Sequence, residues 1–281
     1  MKNIFKKIIY WLFLKSLKSA NKQRGADLLK TKLAEICPDL SDQYSHFEVD
    51  MGNEYLVEKL RYQHAFQMNL ALKAVELLAK KDNVTIGDIG DSAGTHVLYL
   101  QKLLAERSIS VDAFSVNLDE RAIKRIQSRG LKAIHCRAED LHTQENTNVD
   151  IFLSYEMVEH LFNPIAFLNS IAKNTDSKYF VISVPNVYKS RVGLAHIRNK
   201  NAVTKGLDAE STHIFELSPD DWNLIFQFSG WEVVYEDRYV QYPKWHLLSL
   251  TKYLWRKYDF DGFHGVILKR NFKYADQYKD W

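Results

Sequence analysis

From residue 84 to residue 269 short apolar runs alternate with stretches of helical length, and few folds accommodate that order. The runs lie at 84–88, 111–117, 131–136, 150–154, 179–184, 231–239 and 263–269, and the helical stretches at 95–106, 120–129, 164–174, 219–229 and 244–258. This α/β alternation predicts a Rossmann-like, mostly parallel sheet with helices on both faces. Ligands of such sheets bind beyond the carboxyl ends of the strands, so the chemistry is expected there. Upstream the sequence reads as three helices: a basic one near the start, a shorter one around 27–37, and a long one over 54–80. The chain divides on this reading into a basic helical N-terminal extension, 1–53, and an α/β domain, 54–281. With 281 residues, 46% of them hydrophobic, it has ample material for a large core.

The formal charge of +3 is unevenly spread. Up to residue 33 there are nine Lys and Arg against Asp27 alone, leaving 29 basic and 34 acidic residues in the remainder. A body of that balance lacks the positive field of a protein that tracks a phosphate backbone, which excludes DNA and disfavours RNA as a partner. Cys37 and Cys136 stand alone, without a CxxC, so neither a disulfide framework nor a thiolate zinc site is expected, and a cytoplasmic setting is. The apolar run at 8–14 is bracketed by Lys6, Lys7, Lys15 and Lys18. It is shorter than the roughly 20 residues a membrane span takes, and lysines stand where a signal peptide would have small residues. Two readings remain: residues 1–33 lie on the inner surface of a membrane, or the helix packs on the body.

The first strand runs into DIGDSAGTH, residues 88–96, and then into a helix. Glycines at such a turn let a ligand approach the backbone, and the helix N-terminus offers unpaired N–H groups. Downstream come SVNLDERAIKRI at 115–126, RAEDL at 137–141, DIFLSYEMVEHLFNP at 150–164, VISVPN at 181–186 and HIFELSPDDWNLIFQFSGWEVV at 213–234. This ordered series resembles class I S-adenosylmethionine-dependent methyltransferases over about residues 54–270. The resemblance implies a seven-stranded sheet with the last strand inserted antiparallel, and S-adenosylmethionine as cofactor. It puts Asp88, Gly90, Ser92 and Gly94 at the methionine part of the donor. Asn117 falls at the ribose hydroxyls, with Asp119 as a substitute if the loop curls inward. Glu139 falls at the adenine, and Tyr155 and Glu156 at the floor of the reaction centre. Two positions depart from the family: Ser92 replaces a third glycine, and Asn117 replaces an acid, giving up a charge-assisted bond.

Methyl transfer to a hydroxyl needs a base or a metal to take its proton. Glu156, Glu159 and His160 form an E-x-x-E-H pattern, and His213 follows after the fifth strand. Similar spacing occurs in ubiquinone-biosynthesis O-methyltransferases and small-RNA 2′-O-methyltransferases, where such residues bind a divalent cation. The reading taken is that no metal is needed: His160 is the base, His213 the second choice, Glu156 borders the donor, and Glu159 caps or pairs locally. The polar stretch at 188–212, with Lys189, Arg191, His196, Arg198, Lys200 and Lys205, suits a lid or an acceptor loop. Of the aromatic residues from Trp231 onward, including Tyr239, Tyr242, Trp245, Tyr253, Trp255 and Tyr258, most are expected in the core. The expected activity is O-methylation of a small molecule or glycan, for example in cell-surface polysaccharide synthesis. Alternatives are a non-catalytic methyltransferase-like partner tethered to a membrane or complex, and an RNA 2′-O-methyltransferase.

Overall fold

The helices α1 (Lys2–Arg24), α2 (Asp27–Ile36) and α3 (Glu54–Leu77) precede the sheet. The computed structural model describes residues 2–43, 48–79, 82–193, 212–257 and 261–280. The α/β alternation then follows as β1 (Asn83–Ile89), α4 (Thr95–Ala105), β2 (Ser110–Asn117), α5 (Glu120–Ser128), β3 (Lys132–His135), β4 (Ile151–Tyr155), α6 (Pro164–Asn174) and β5 (Tyr179–Asn186). A short ribbon of β6 (Arg191–Val192) and β7 (Phe215–Glu216) comes next, then α7 (Pro219–Phe228), β8 (Trp231–Val240), α8 (Lys252–Lys257) and β9 (Gly262–Arg270). The seven-stranded sheet has the order β3-β2-β1-β4-β5-β9-β8. β1 to β5 pair in parallel, and β9 inserts antiparallel between β5 and β8, as the resemblance implies.

Local chemistry sets the element ends. Asn53, Asn163 and Ser218 cap α3, α6 and α7 by accepting from Leu56, Ala166 and Asp221 N–H, and Pro164 and Pro219 open the latter two helices. Every residue of β4 is buried, as befits a central parallel strand. One core face joins Leu17, Leu33 and the buried side of α3 to β1, β4 and α4, so the first two helices share the apolar interior of the sheet. The other gathers Phe167, Trp222, Phe226 and Trp231 around Phe152 and Phe180.

One expectation is corrected. The stretch 244–258 is not one helix: Trp245 has φ +53, Leu247–Thr251 is a 3-10 turn, and α helix begins only at Lys252. Thr251 Oγ1 donates to the Leu248 carbonyl at 2.7 Å, which suits the tighter winding. The β6–β7 ribbon was not foreseen, because two-residue strands carry no readable period. Of the aromatic residues expected in the core, Trp231, Tyr239 and Trp255 are buried, whereas Trp245 and Tyr253 are exposed; Tyr258 lies outside the described residues. The inner face of α1 packs on the body through Leu17 and through Phe13 stacked on Trp255 at 4.1 Å, while Ile8 and Trp11 face outward. Among the described residues no helix is long and apolar enough to cross a membrane.

His264 in β9 is fully buried, its Nε2 paired with Asn223 Oδ1 at 3.1 Å, and burial pushes its pKa down to about 4. Unfolding returns it to its ordinary 6.5, so below that value the unfolded chain takes up the proton first. The stability it sustains is complete above pH 6.5 and falls by up to about 3 kcal/mol as the pH drops to 4. Urea titrations of the wild type and of His264→Gln should converge in this interval; parallel curves from pH 7 to pH 4 would refute the assignment.

Candidate active site

The strand order reverses between β1 and β4, and the crevice beyond their carboxyl ends is where such sheets take ligands. The turn leaving β1 has left-handed backbone at Gly90 (φ +92) and Gly94 (φ +76). Asp91 holds the turn closed. Its Oδ1 accepts from the backbone N–H of Ala93 and Gly94 at 3.3 and 3.0 Å, and its Oδ2 accepts from the Ser115 hydroxyl at 2.8 Å. Ser92 sits within this turn, partly exposed.

Asn117 braces the same turn: its Nδ2 donates to the Asp91 carbonyl at 3.1 Å, and its Oδ1 accepts from Asp119 N–H at 2.8 Å. An amide has two donor protons and two lone pairs, so one of each remains for a hydroxyl. Asp119 caps α5, its Oδ1 accepting from Arg121 N–H at 3.1 Å. Asp88 is buried and accepts from His96 Nδ1 at 3.0 Å, tying β1 to the first turn of α4. Burial raises the Asp88 carboxyl to about 6, with Asp91 reinforcing and His96 opposing. Burial alone would lower His96, but the two carboxylates outweigh it and raise it. Gln43 Nε2 lies 3.3 Å from His96 Nε2, so the segment after α2 reaches the back of the turn.

Glu139 opens the 3-10 turn Ala138–Thr143, partly exposed and 3.3 Å from Arg137. Leu118, 63% exposed, directly follows β2. Tyr155 is buried instead, its hydroxyl donating to the Gln67 carbonyl at 3.0 Å and its ring 5.0 Å from that of His96. A Cβ on Gly90 would meet Met157 Cγ at 2.7 Å, so the chain after β4 lies directly over the turn. Two left-handed glycines, an exposed apolar residue after β2 and a carboxylate after β3 fit a nucleoside donor.

A second group follows β4. Glu156 has φ +53, so it stands outside the short 3-10 turn Val158–His160 and does not align with His160 one helical turn away. Its Oε1 accepts from the Ser183 hydroxyl at 2.8 Å; burial pushes its carboxyl up to about 8, while Ser183 and the Lys59 ammonium pull the other way. Glu159 has no exposed surface, and among the described residues no other side chain hydrogen-bonds to either carboxylate oxygen. Its local hydrogen-bond partner is its own backbone N–H. Burial, reinforced by Glu156 and Glu216, holds it well above the carboxylate range.

His160 Nδ1 lies 3.1 Å from the Thr212 carbonyl, and His213 Nδ1 lies 3.0 Å from Glu216 Oε1. A carbonyl only accepts, and an ionised carboxylate does likewise, so both rings carry their proton on Nδ1 and a lone pair on Nε2. The rings meet edge to face at 4.7 Å, and His160 Nε2 is 4.0 Å from Glu159 Oε1. One ligand atom from each of Glu159, His160 and His213 lies within 4.8 Å of the others. The β6–β7 ribbon makes this possible: Ile214 N–H donates to the Glu159 carbonyl at 2.9 Å, and Arg191 pairs with Glu216. Arg191 is thus part of the His213 scaffold, whereas His196, Arg198, Lys200 and Lys205 lie outside the described residues.

Asp91, His96, Gln43, Lys59, Ser183 and Glu216 escaped the sequence reading. Asp91 had a signal: an aspartate two and three residues before the N–H groups at a helix start is an Asx turn. The rest meet the site only through tertiary packing.

Residues 87–177, from β1 almost to β5, match the family described as a methyltransferase domain. No curated protein matches the chain. The fold is shared with a Galdieria sulphuraria protein described as a candidate sarcosine dimethylglycine methyltransferase, at a TM-score of 0.53 and 12% identity over 83% of this chain and 94% of that one. It is also shared with a chain of the complex between the Haloferax volcanii Trm112 methyltransferase activator and its candidate methyltransferase, at a TM-score of 0.50 and 13% identity over 76% and 96%. These likenesses speak to fold, while the family match covers the glycine turn, Asn117, Glu139 and the β4 segment in one stretch. Residues 87–177 thus carry a methyltransferase domain, and the sheet order and turn geometry agree with the fold of class I S-adenosylmethionine-dependent methyltransferases.

Proposed function

We propose that this enzyme O-methylates a hydroxyl of a small molecule or glycan, a lipid-linked sugar of cell-surface polysaccharide synthesis being the acceptor class chosen, and that Glu159, His160 and His213 activate that hydroxyl. One observation carries the reading. Both imidazoles engage Nδ1 elsewhere, His160 Nε2 lies 4.0 Å from the buried Glu159 carboxylate, and one ligand atom from each of the three residues lies within 4.8 Å of the others. Imidazoles oriented through Nδ1 by a carbonyl and a carboxylate have the outer-shell arrangement of metal ligands. A divalent cation fits this donor set, held by Glu159, His160 and His213, and mixed nitrogen and oxygen ligands suit Mn2+, Fe2+ or Zn2+ better than Mg2+. Such an ion supplies Lewis acidity that makes a bound hydroxyl easier to deprotonate.

The chain's own groups do the remainder. Where no ion takes its lone pair, His160 Nε2 accepts the hydroxyl proton and the imidazolium faces Glu159; an ion held on that nitrogen would exclude this role. Glu216, held by Arg191, fixes the tautomer of His213. The turn at Gly90 and Gly94 fixes the donor, and alignment of methyl and oxygen is worth about 7 to 11 kcal/mol of barrier. The side of the molecule that carries α1 faces the inner surface of a membrane.

The test is methyl transfer from labelled donor to glycan and lipid-linked pools. His160→Gln and Glu159→Gln should each lower kcat/KM by about 10² to 10⁴ with donor affinity unchanged. Calorimetry with Mn2+ should show one site that Glu159→Gln loses. Transfer at the wild-type rate in both variants would sink the assignment, and activity indifferent to chelation would remove the cation from it.

A further inference from the structure

α1 and the 244–257 segment lie side by side and antiparallel. Gln23 exchanges hydrogen bonds with the backbone of Lys244 at 2.8 and 2.9 Å, Ser16 meets Thr251 at 2.7 Å, and Phe13 stacks on Trp255. Their inner residues are thereby accounted for. Their exposed apolar residues are Ile8 and Trp11 from the helix, and Trp245, Leu247, Leu250 and Tyr253 from the segment, with Trp245 entirely exposed. In a 3-10 turn residues three apart eclipse, so Leu247 and Leu250 line up on one side, and Tyr253 follows in the first turn of α8.

The charge of these two stretches is one-sided. Residues 2–26 and 244–257 contain eleven of the 38 Lys and Arg and none of the 35 Asp and Glu, leaving 27 basic against 35 acidic residues in the rest. Lys18, Arg24 and Arg256 pair with Glu54, Asp237 and Asp261 outside these stretches, while Lys7, Lys15, Lys22, Lys244 and Lys257 are exposed. Lys15 and Lys252 lie over the rings of Trp11 and Tyr253 at 5.7 and 5.1 Å. Aromatic and leucine side chains rimmed by lysines match the headgroup level of a bilayer with anionic lipid.

We infer that α1 and the 244–257 segment form one composite docking face for an anionic lipid bilayer. A second copy is disfavoured, since joining two such faces would oppose two acid-free basic surfaces. A nucleic acid would leave Leu247 and Leu250 without use. β8 runs parallel to β5, so the β8–β9 connection that carries the segment leaves from the carboxyl edge of the sheet, the edge of the active site. Arg256 lies over the ring of Tyr188, just past β5, at 4.2 Å. The bilayer and the acceptor crevice therefore meet the same edge. That last point rests on the lipid-linked acceptor proposed above; the docking face does not.

The test is co-sedimentation of the full chain with vesicles of phosphatidylcholine alone and of phosphatidylcholine mixed with phosphatidylglycerol. Binding is expected only to the mixed vesicles and should weaken with added salt. Lys15→Gln with Lys244→Gln should lower the affinity roughly 25-fold, about fivefold per lysine. Leu247→Ser with Leu250→Ser should also lower it, at low salt, with donor binding unchanged by calorimetry. No binding to the mixed vesicles, or equal binding by both double variants, would overturn the inference, as would a dimer or an RNA complex that Trp245→Ser abolishes. Vesicle binding without methylation of any lipid-linked acceptor would leave this face standing and remove the acceptor reading. Methylation of such acceptors in detergent without vesicle binding would do the reverse.

Discussion

Gly90→Arg should abolish S-adenosylmethionine binding while the protein still folds. Gly90 has φ +92, a conformation that costs an L-residue about 1 to 2 kcal/mol, and its missing Cβ leaves room for Met157 Cγ at 2.7 Å. An arginine must either push Met157 off the turn or lay its own chain across the crevice. Occupation of the crevice by the arginine side chain should lower donor affinity by at least about a hundredfold, a loss of about 2.7 kcal/mol. The penalty to the fold is the backbone strain plus an overpacking cost of about 1 to 3 kcal/mol, taken at a partly exposed turn that Asp91 holds independently. Isothermal calorimetry, with a melting curve beside it, checks both halves. Affinity within threefold of wild type would show that the donor does not lie along this turn.

Gly262→Ala should be the most damaging single-methyl change in the chain. Gly262 begins β9 with φ +149, and a Cβ there would stand 1.8 Å from the Tyr239 carbonyl oxygen and 3.0 Å from Val240 Cα. Both obstacles are backbone of β8, paired with β9 in register, so neither can rotate aside. The loss should be roughly 3 to 5 kcal/mol, enough to unfold a marginal domain. Gly130→Ala is the control: its φ is +74 but nothing lies within 4 Å, so only the backbone strain of about 1 to 2 kcal/mol is felt. Urea unfolding of the two variants separates clash from strain. Equal losses would mean that β9 shifts to accommodate the methyl group.

The sheet was legible because buried parallel strands such as Ile151–Tyr155 are continuous apolar runs, and their helices begin with Asn-Pro or Ser-Pro caps that read directly from the chain. The glycine turn was legible for a similar reason: left-handed backbone at Gly90 and Gly94 is a demand that residue type announces. The stretch 244–258 misled because Trp245 takes φ +53 and a 3-10 turn uses a spacing of three, close enough to a helical period to pass for one.

The site was harder. E-x-x-E-H suggests carboxylates and imidazole on one helical face, yet Glu156 turns away to Ser183, and its place beside His160 is taken by His213, more than fifty residues later. Hydrophobic period and turn chemistry act within a few residues, so strand order, the glycine turn and the basic arm could be read along the chain. Which side chains share a proton, a buried charge or a common surface depends on contacts across the sheet edge. The pairing of Asp88 with His96, the orientation of His213 by Glu216 and the union of α1 with the 244–257 segment exist only once the strands have brought distant backbone together.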